Sequence, residues 1–174
     1  MKKLIFLFSV LLATVSCMKE EKHGNDNSSA NATRLMAFYD QVMNAHNADM
    51  IDSFCTSDFI DHQPFPGQGP GAEGLKVTMK DFFTAFPDLH VKVNFVKAWG
   101  DTTMAHFTMT GTNSGMWMGG PPSNKQMNID GVDILVIKDG KASEHWGYME
   151  ESKMMHQLGM GGSPEAHNDM EMKK

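Results

Sequence analysis

Cysteine is scarce in this chain: Cys17 and Cys55 are the only two among 174 residues. Cys17 ends an apolar leader, which leaves Cys55 without a plausible partner, so no structural disulfide is expected. A hydrophobic run of membrane-spanning length is missing too, since Leu4 to Val15 has the length of a signal-peptide core and is too short for a stable spanning helix. Basic residues are outnumbered, 15 Lys and Arg against 21 Asp and Glu for a formal charge of -6. Nucleic acid is therefore excluded as a partner, because phosphate tracking relies on excess cations. There is no Gly-x-Ser-x-Gly elbow, and Cys55 lies among core-like residues as an inert buried thiol, which argues against a nucleophilic hydrolase. No tight cluster of three or four ligands supports zinc. The abundant residue is methionine, 17 in all. Met154, Met155, His156, Met160, His167, Met170 and Met172 gather toward the end, but without the fixed spacing of a copper site, and unbranched Met is a common core filler. No metal is expected.

At the front, Lys2 and Lys3 precede the apolar stretch, and Thr14-Val15-Ser16-Cys17 resembles a lipobox, with Thr14 in place of the commoner Leu or Val. Residues 1–16 are read as a lipoprotein signal peptide and Cys17 as the lipidation site; the alternative is an ordinary secretory signal cut near Ser16. Cleavage before Cys17 removes two lysines and no acid, taking the formal charge from -6 to -8. Acyl chains on one cysteine, palmitate among them, anchor a protein because each buried methylene contributes about 0.8 kcal/mol. The expected location is an exported, membrane-anchored one at the outer membrane. Lys19-Glu20-Glu21 resembles the signal that sends some lipoproteins to the cell surface, and the start of a solvated tether reads equally well.

Residues 17–32 form that tether, polar and without apolar periodicity. Leu35, Phe38, Tyr39, Val42 and His46 then fall at helical spacing, predicting a helix from Thr33 to Ala48. Asp49 to Phe54 forms a short second helix. Pro64 to Gly71 is too rich in Pro and Gly for regular structure. Leu75, Met79, Phe82, Phe83 and Phe86 restore a helix that Pro87 ends. The period then changes to two: Leu89, Val91, Val93 and Phe95, then Thr102 to Thr112, then Ile129 to Lys138. Asp139-Gly140 is a hairpin signal leading to Lys141 to Tyr148. Glu151 to Leu158 is a final helix capped by Gly159. Helices followed by antiparallel strands denote one α+β domain over 33–159, helices packed on a curved sheet, with residues 160–174 as a disordered tail.

Four segments occur in an order that resembles the SnoaL-like polyketide cyclases, also called ester cyclases: Asp61-His62-Gln63-Pro64, Phe83 to Leu89, Gly111-Thr112-Asn113-Ser114-Gly115, and Asp139-Gly140-Lys141 through Glu144-His145-Trp146. The loop Gly119 to Lys125 and Gln157-Leu158-Gly159 extend the likeness over Leu35 to Gly159. The resemblance implies a nuclear transport factor 2-like fold, a cone-shaped sheet over helices with a pocket at its open end. It also implies an intramolecular aldol condensation without metal or cofactor, in which an acid removes a proton beside a carbonyl. Pairing through the outer face of the sheet, as a homodimer, follows by the same analogy, and the expected ligand is a small apolar carbonyl compound.

Carried over to this chain, the base is Asp133. It is flanked by Val132, Ile134, Leu135, Val136 and Ile137, and a carboxylate facing an apolar cavity has its charged form disfavoured, which makes it a better base. Asp133 could equally tie down the sheet, bonded to a neighbour such as His145. Asp130 is the fallback, with opposite face parity. His62 is the second catalytic candidate, a donor to a developing enolate, or else a locally bonded loop histidine. Substrate-binding candidates are Asn113, where the family usually has His; His106, where many relatives carry Arg; and His145 and Trp146 on the returning strand. An amide at 113 donates a hydrogen bond but cannot carry a proton. The competing reading is a non-catalytic module of the same fold that binds a small molecule or a protein.

Overall fold

The computed structural model describes residues 27–160. The leader, Cys17, the tether as far as residue 26 and the tail from residue 161 lie outside the described residues. Among the described residues no helix is long and apolar enough to cross a membrane.

The first helix, α1, spans Ser28–Phe38 and continues into a π-helical segment, Tyr39–Asn44. It begins earlier than the expected Thr33 because polar residues of the supposed tether are used in the fold. The Asn31 amide, buried in the structure, donates to the Gly100 carbonyl at 2.9 Å, and the Gly100 N–H donates to Ser28 Oγ. A 3-10 turn at Ala48–Met50 leads into the short α2, Ile51–Phe54, and α3 covers Gly71–Ala85. Gly74 on α3 must lack a side chain, since a Cβ there would stand 1.8 Å from the Gly69 carbonyl oxygen.

Five strands make one sheet: β1 Cys55–Asp61, β2 His90–Trp99, β3 Thr102–Thr112, β4 Gln126–Lys138 and β5 Lys141–Met149, in the order β1-β5-β4-β3-β2. The β4–β5 hairpin turns at Asp139-Gly140, both at positive φ (51° and 75°), as its sequence predicts. One departure from an all-antiparallel sheet is β1, in the stretch between the expected second helix and the Pro-Gly loop that the sequence reading assigns to no element. It pairs in parallel with β5 at the sheet edge, the α3 crossover returning the chain to the sheet. A short closing helix, α4, runs Glu151–Leu158 and ends on Gly159 at φ 72°.

The core lies between α1, α3 and the inner face of the sheet, with Tyr39, Phe82, Phe86, Ile51, Met127 and Ile129 among its most deeply buried side chains. The register of β2 against β3 shifts between Val93 and Phe95, a bulge at Asn94. It reverses the alternation, so Val91 is buried while Phe95, in phase with it by simple counting, faces outward at 46% exposure. The Asn94 side-chain amide fixes the bulge by donating to His106 and Thr108.

Candidate active site

Between α1, α3 and the concave face of the sheet lies a cavity of about 160 Å³, walled by apolar side chains that include Leu35, Phe38, Phe59, Met79, Phe107 and Leu135. Asp133 enters it because β4 alternates: Asp133, Leu135 and Ile137 share the inner side, and all three line the cavity. Asp130, of opposite parity, binds Thr108 and Glu150 instead and does not line it.

The Asp133 side chain is 17% exposed and both its oxygens are engaged. The Tyr39 hydroxyl donates to Oδ2 at 2.6 Å, and His145 Nε2 lies 3.3 Å from Oδ1. The other ring nitrogen of His145, Nδ1, is 3.0 Å from Asp61 Oδ1. With a carboxylate at each nitrogen, the doubly protonated ring satisfies both contacts as a donor. Burial alone would lower the His145 pKa, but the hydrogen bonds and charges of Asp133 and Asp61 outweigh it and raise the imidazolium to about 10. Burial of the Asp61 carboxyl works the other way from its partners. His145, Gln68 and the Gln63 N–H together hold its pKa below the ordinary value. The Tyr39 hydroxyl is pushed well above its usual range by burial and then by the Asp133 charge. Polar groups thus form a chain through an apolar cavity: Tyr39, Asp133, His145, Asp61, Gln68.

Gly147, also in the lining, gives the imidazole its place. A Cβ there would sit 2.9 Å from His145 Cε1 and 3.4 Å from Asp133 Oδ1. Cys55 reaches the cavity wall as a thiol whose pKa burial raises to about 12, so it stays protonated and unreactive near neutral pH.

The remaining sequence candidates lie elsewhere. His62 follows Asp61 and therefore points to the opposite, outer side of the sheet, where it stacks on Trp146 at 4.2 Å and pairs with Glu144 at 2.8 Å. Neither His62 nor Trp146 lines the cavity. His106 is also on the outer face, stacked on Phe95. Asn113 is wholly buried and outside the cavity. It donates to the Gly115 carbonyl at 2.9 Å and accepts from the Ser123 N–H at 2.8 Å, bracketing the loop that carries the buried Trp117. An amide suits that bracket because it donates and accepts at once. Of the sequence candidates, Asp133 and His145 come together in the cavity.

Three residues of that polar chain, Asp61, Tyr39 and Gln68, were missed in the sequence. Asp61 shares parity with Phe59, an inward apolar residue, and that signal pointed to Asp61 over His62. Tyr39 reads as one more aromatic in a helical stripe, and nothing local marks its hydroxyl. Among the described residues no group of three His, Cys, Asp or Glu side chains is placed to hold a metal ion.

Comparison with known proteins agrees with this architecture. No curated protein matches the chain. Among solved structures, a proposed polyketide cyclase from Bacillus cereus ATCC 10987 is 28% identical, with a TM-score of 0.63 over 76% of this chain and 80% of that one. A proposed SnoaL-like polyketide cyclase from Jannaschia sp. CCS1 is 20% identical, with a TM-score of 0.71 over 81% and 99%. IdmH, a proposed polyketide cyclase from Streptomyces antibioticus, is 22% identical, with a TM-score of 0.64 over 74% and 98%. The family model for the SnoaL-like polyketide cyclases matches residues 33–158, from within α1 to the end of α4. The chain belongs to the SnoaL-like polyketide cyclase family.

Proposed function

We propose that the protein is a cofactor-independent cyclase or aldol-type enzyme acting on a small carbonyl compound, with Asp133 as general base. The observation that carries this reading is a carboxylate on the wall of an apolar cavity, its orientation fixed by Tyr39 and His145. Before reaction, the two carboxylates and one imidazolium carry a net charge of about -1. A proton moving from carbon to Asp133 neutralises that carboxylate and leaves the enolate negative. The set is then neutral, and His145, previously shared between two carboxylates, is paired with Asp61 alone, so its Nε2 side faces the new anion less compensated than before. Charge has moved onto the ligand without water reorganising around it, which is the condition for electrostatic stabilisation of a transition state. The enolate carbon then attacks a second carbonyl, closing the ring, and the alkoxide formed there takes the proton from Asp133, restoring the carboxylate.

The test is exchange of the methyl protons of acetophenone in deuterated buffer, followed by proton NMR. Asp133→Asn abolishes exchange and leaves affinity for the ketone unchanged. If neither protein catalyses exchange while both bind, the non-catalytic binding module is correct. Anchoring through lipid on Cys17 is part of the same proposal and is read from the mass of the exported protein. So is pairing of two copies through the outer sheet face, where Phe95, Trp99 and Tyr148 are exposed; Trp99→Glu would convert a dimer to a monomer in sedimentation.

A further inference from the structure

Two charged side chains of the cavity, Arg34 and Glu151, take no part in the chain from Tyr39 to Gln68. Arg34, on α1, is the single Lys or Arg among the described residues lining the cavity. Its guanidinium lies over the Phe54 ring, 4.1 Å from the centroid, and one terminal nitrogen donates to the Ser53 carbonyl. The Nε atom is buried and has no hydrogen-bond partner. No carboxylate pairs with Arg34 among the described residues. Asp52, next to Ser53, is taken by Lys76 at 2.8 Å, while Asp61 and Asp133 are taken by His145. Glu151, exposed at the cavity, forms no ion pair with Arg34.

Arg34 as a whole is half-buried, so its charge is still partly hydrated, but its Nε–H is removed from water without a partner, and an orphaned guanidinium N–H is costly to keep. The contact with Phe54 and the bond to Ser53 hold the guanidinium in place and leave its Nε–H unsatisfied. A planar anion meets the edge that carries this N–H with two parallel charge-assisted hydrogen bonds. Arg34 and Tyr39 are five positions apart on one continuous helical segment, about 7 to 8 Å along its axis at 1.5 Å per residue. About 150 Å³ of apolar cavity accommodates one benzene-sized ring, which limits the apolar part of a ligand in this cavity of about 160 Å³ to a single ring.

We infer that Arg34 is the anion anchor of this cavity and that the ligand is a carboxylate-bearing compound of single-ring size, its acid on Arg34 and its carbonyl group near Asp133. The inference rests on the cavity being the site of reaction, and it narrows the substrate class within that reading.

The test uses 4-acetylbenzoate and its neutral counterpart 4-acetylbenzamide as probes, with binding to the full chain measured by calorimetry. The expected result is a preference of tenfold or more for the carboxylate, falling to about onefold in Arg34→Gln and partly retained in Arg34→Lys. A purely structural Arg34 would lower the melting temperature of Arg34→Gln without altering the ratio of the two affinities. Equal binding of both probes by the unaltered protein, a preference that survives Arg34→Gln, or no binding of the carboxylate overturns the inference. Each of these leaves the acetophenone exchange result standing, so failure of the anchor and failure of the base are told apart.

Discussion

Tyr39 and Asp133 are 94 positions apart in the chain, and their side chains meet at 2.6 Å. The contact joins the first residue of the π-helical segment to the middle of β4, so helix and sheet are tied together at the cavity wall. Tyr39→Phe keeps the ring among Phe38 and Phe107 and deletes only the donor. A hydrogen bond to a charged acceptor contributes about 1.5 to 3 kcal/mol, and stability should fall by an amount in that range. The urea midpoint checks it, with an unchanged m-value showing that the compact state is retained.

The His145 imidazolium makes stability depend on pH in the alkaline range. Its pKa is raised in the folded protein, from 6.5 to about 10. The stabilisation is therefore complete below about pH 6.5 and lost as pH rises through about 10. At 1.36 kcal/mol per unit, the loss has an upper bound of about 5 kcal/mol. Asp61, whose pKa is lowered, acts at the other end, its contribution lost as pH falls through its folded value below 3.8. Urea unfolding from pH 6 to 10 should show a declining midpoint, and His145→Gln should flatten that decline.

The positions of helices and strands were legible because burial imposes periods of 3.6 and 2 on apolar residues, as Leu75, Met79, Phe82 and Phe86 show for α3. What escaped was whatever breaks or ignores those periods. The bulge at Asn94 turned Phe95 outward, and no counting rule anticipates an inserted residue. The start of α1 depended on Asn31 and Ser28 reaching the β2–β3 turn, a tertiary contact across some 70 positions. Asp61 and His62 were both visible as chemistry-bearing residues, yet adjacent strand positions face opposite sides, and only their relation to Phe59 decides which enters the cavity. Asp133 was legible because an acid within an apolar strand requires a reason; Tyr39 was not, because a tyrosine in a helical stripe requires none.

Gly147 is where the geometry of the site meets a backbone constraint. An alanine there must push the imidazole, since its Cβ would lie 2.9 Å from Cε1 and 3.2 Å from Nε2 of His145. The already long 3.3 Å contact to Asp133 should break while Asp61 keeps its hold on Nδ1. A displacement on the order of 1 Å in a catalytic constellation costs up to about 100-fold in rate. Acetophenone exchange should fall by 10-fold to 100-fold in Gly147→Ala, with the melting temperature little changed. Full exchange activity in this variant would mean that the position of His145 is immaterial to the chemistry.

Asn113 offers a test in the opposite direction, at a residue that resembles a site and serves as a brace. Its side chain is wholly buried, and it joins the Gly115 carbonyl to the Ser123 N–H across the loop. Asn113→Ala leaves that part-buried N–H and carbonyl without their partner, each costing up to about 1 to 3 kcal/mol, so a loss of up to about 2 to 6 kcal/mol is expected. Asn113→His restores the residue usual in the family, but the ring must fit a space shaped for an amide. It should destabilise the protein by a similar amount and leave ligand affinity unchanged, because position 113 does not line the cavity. Thermal melts and calorimetric titration of the two variants check both halves. A gain in exchange rate from Asn113→His would place this loop in the chemistry and move the active site away from Asp133.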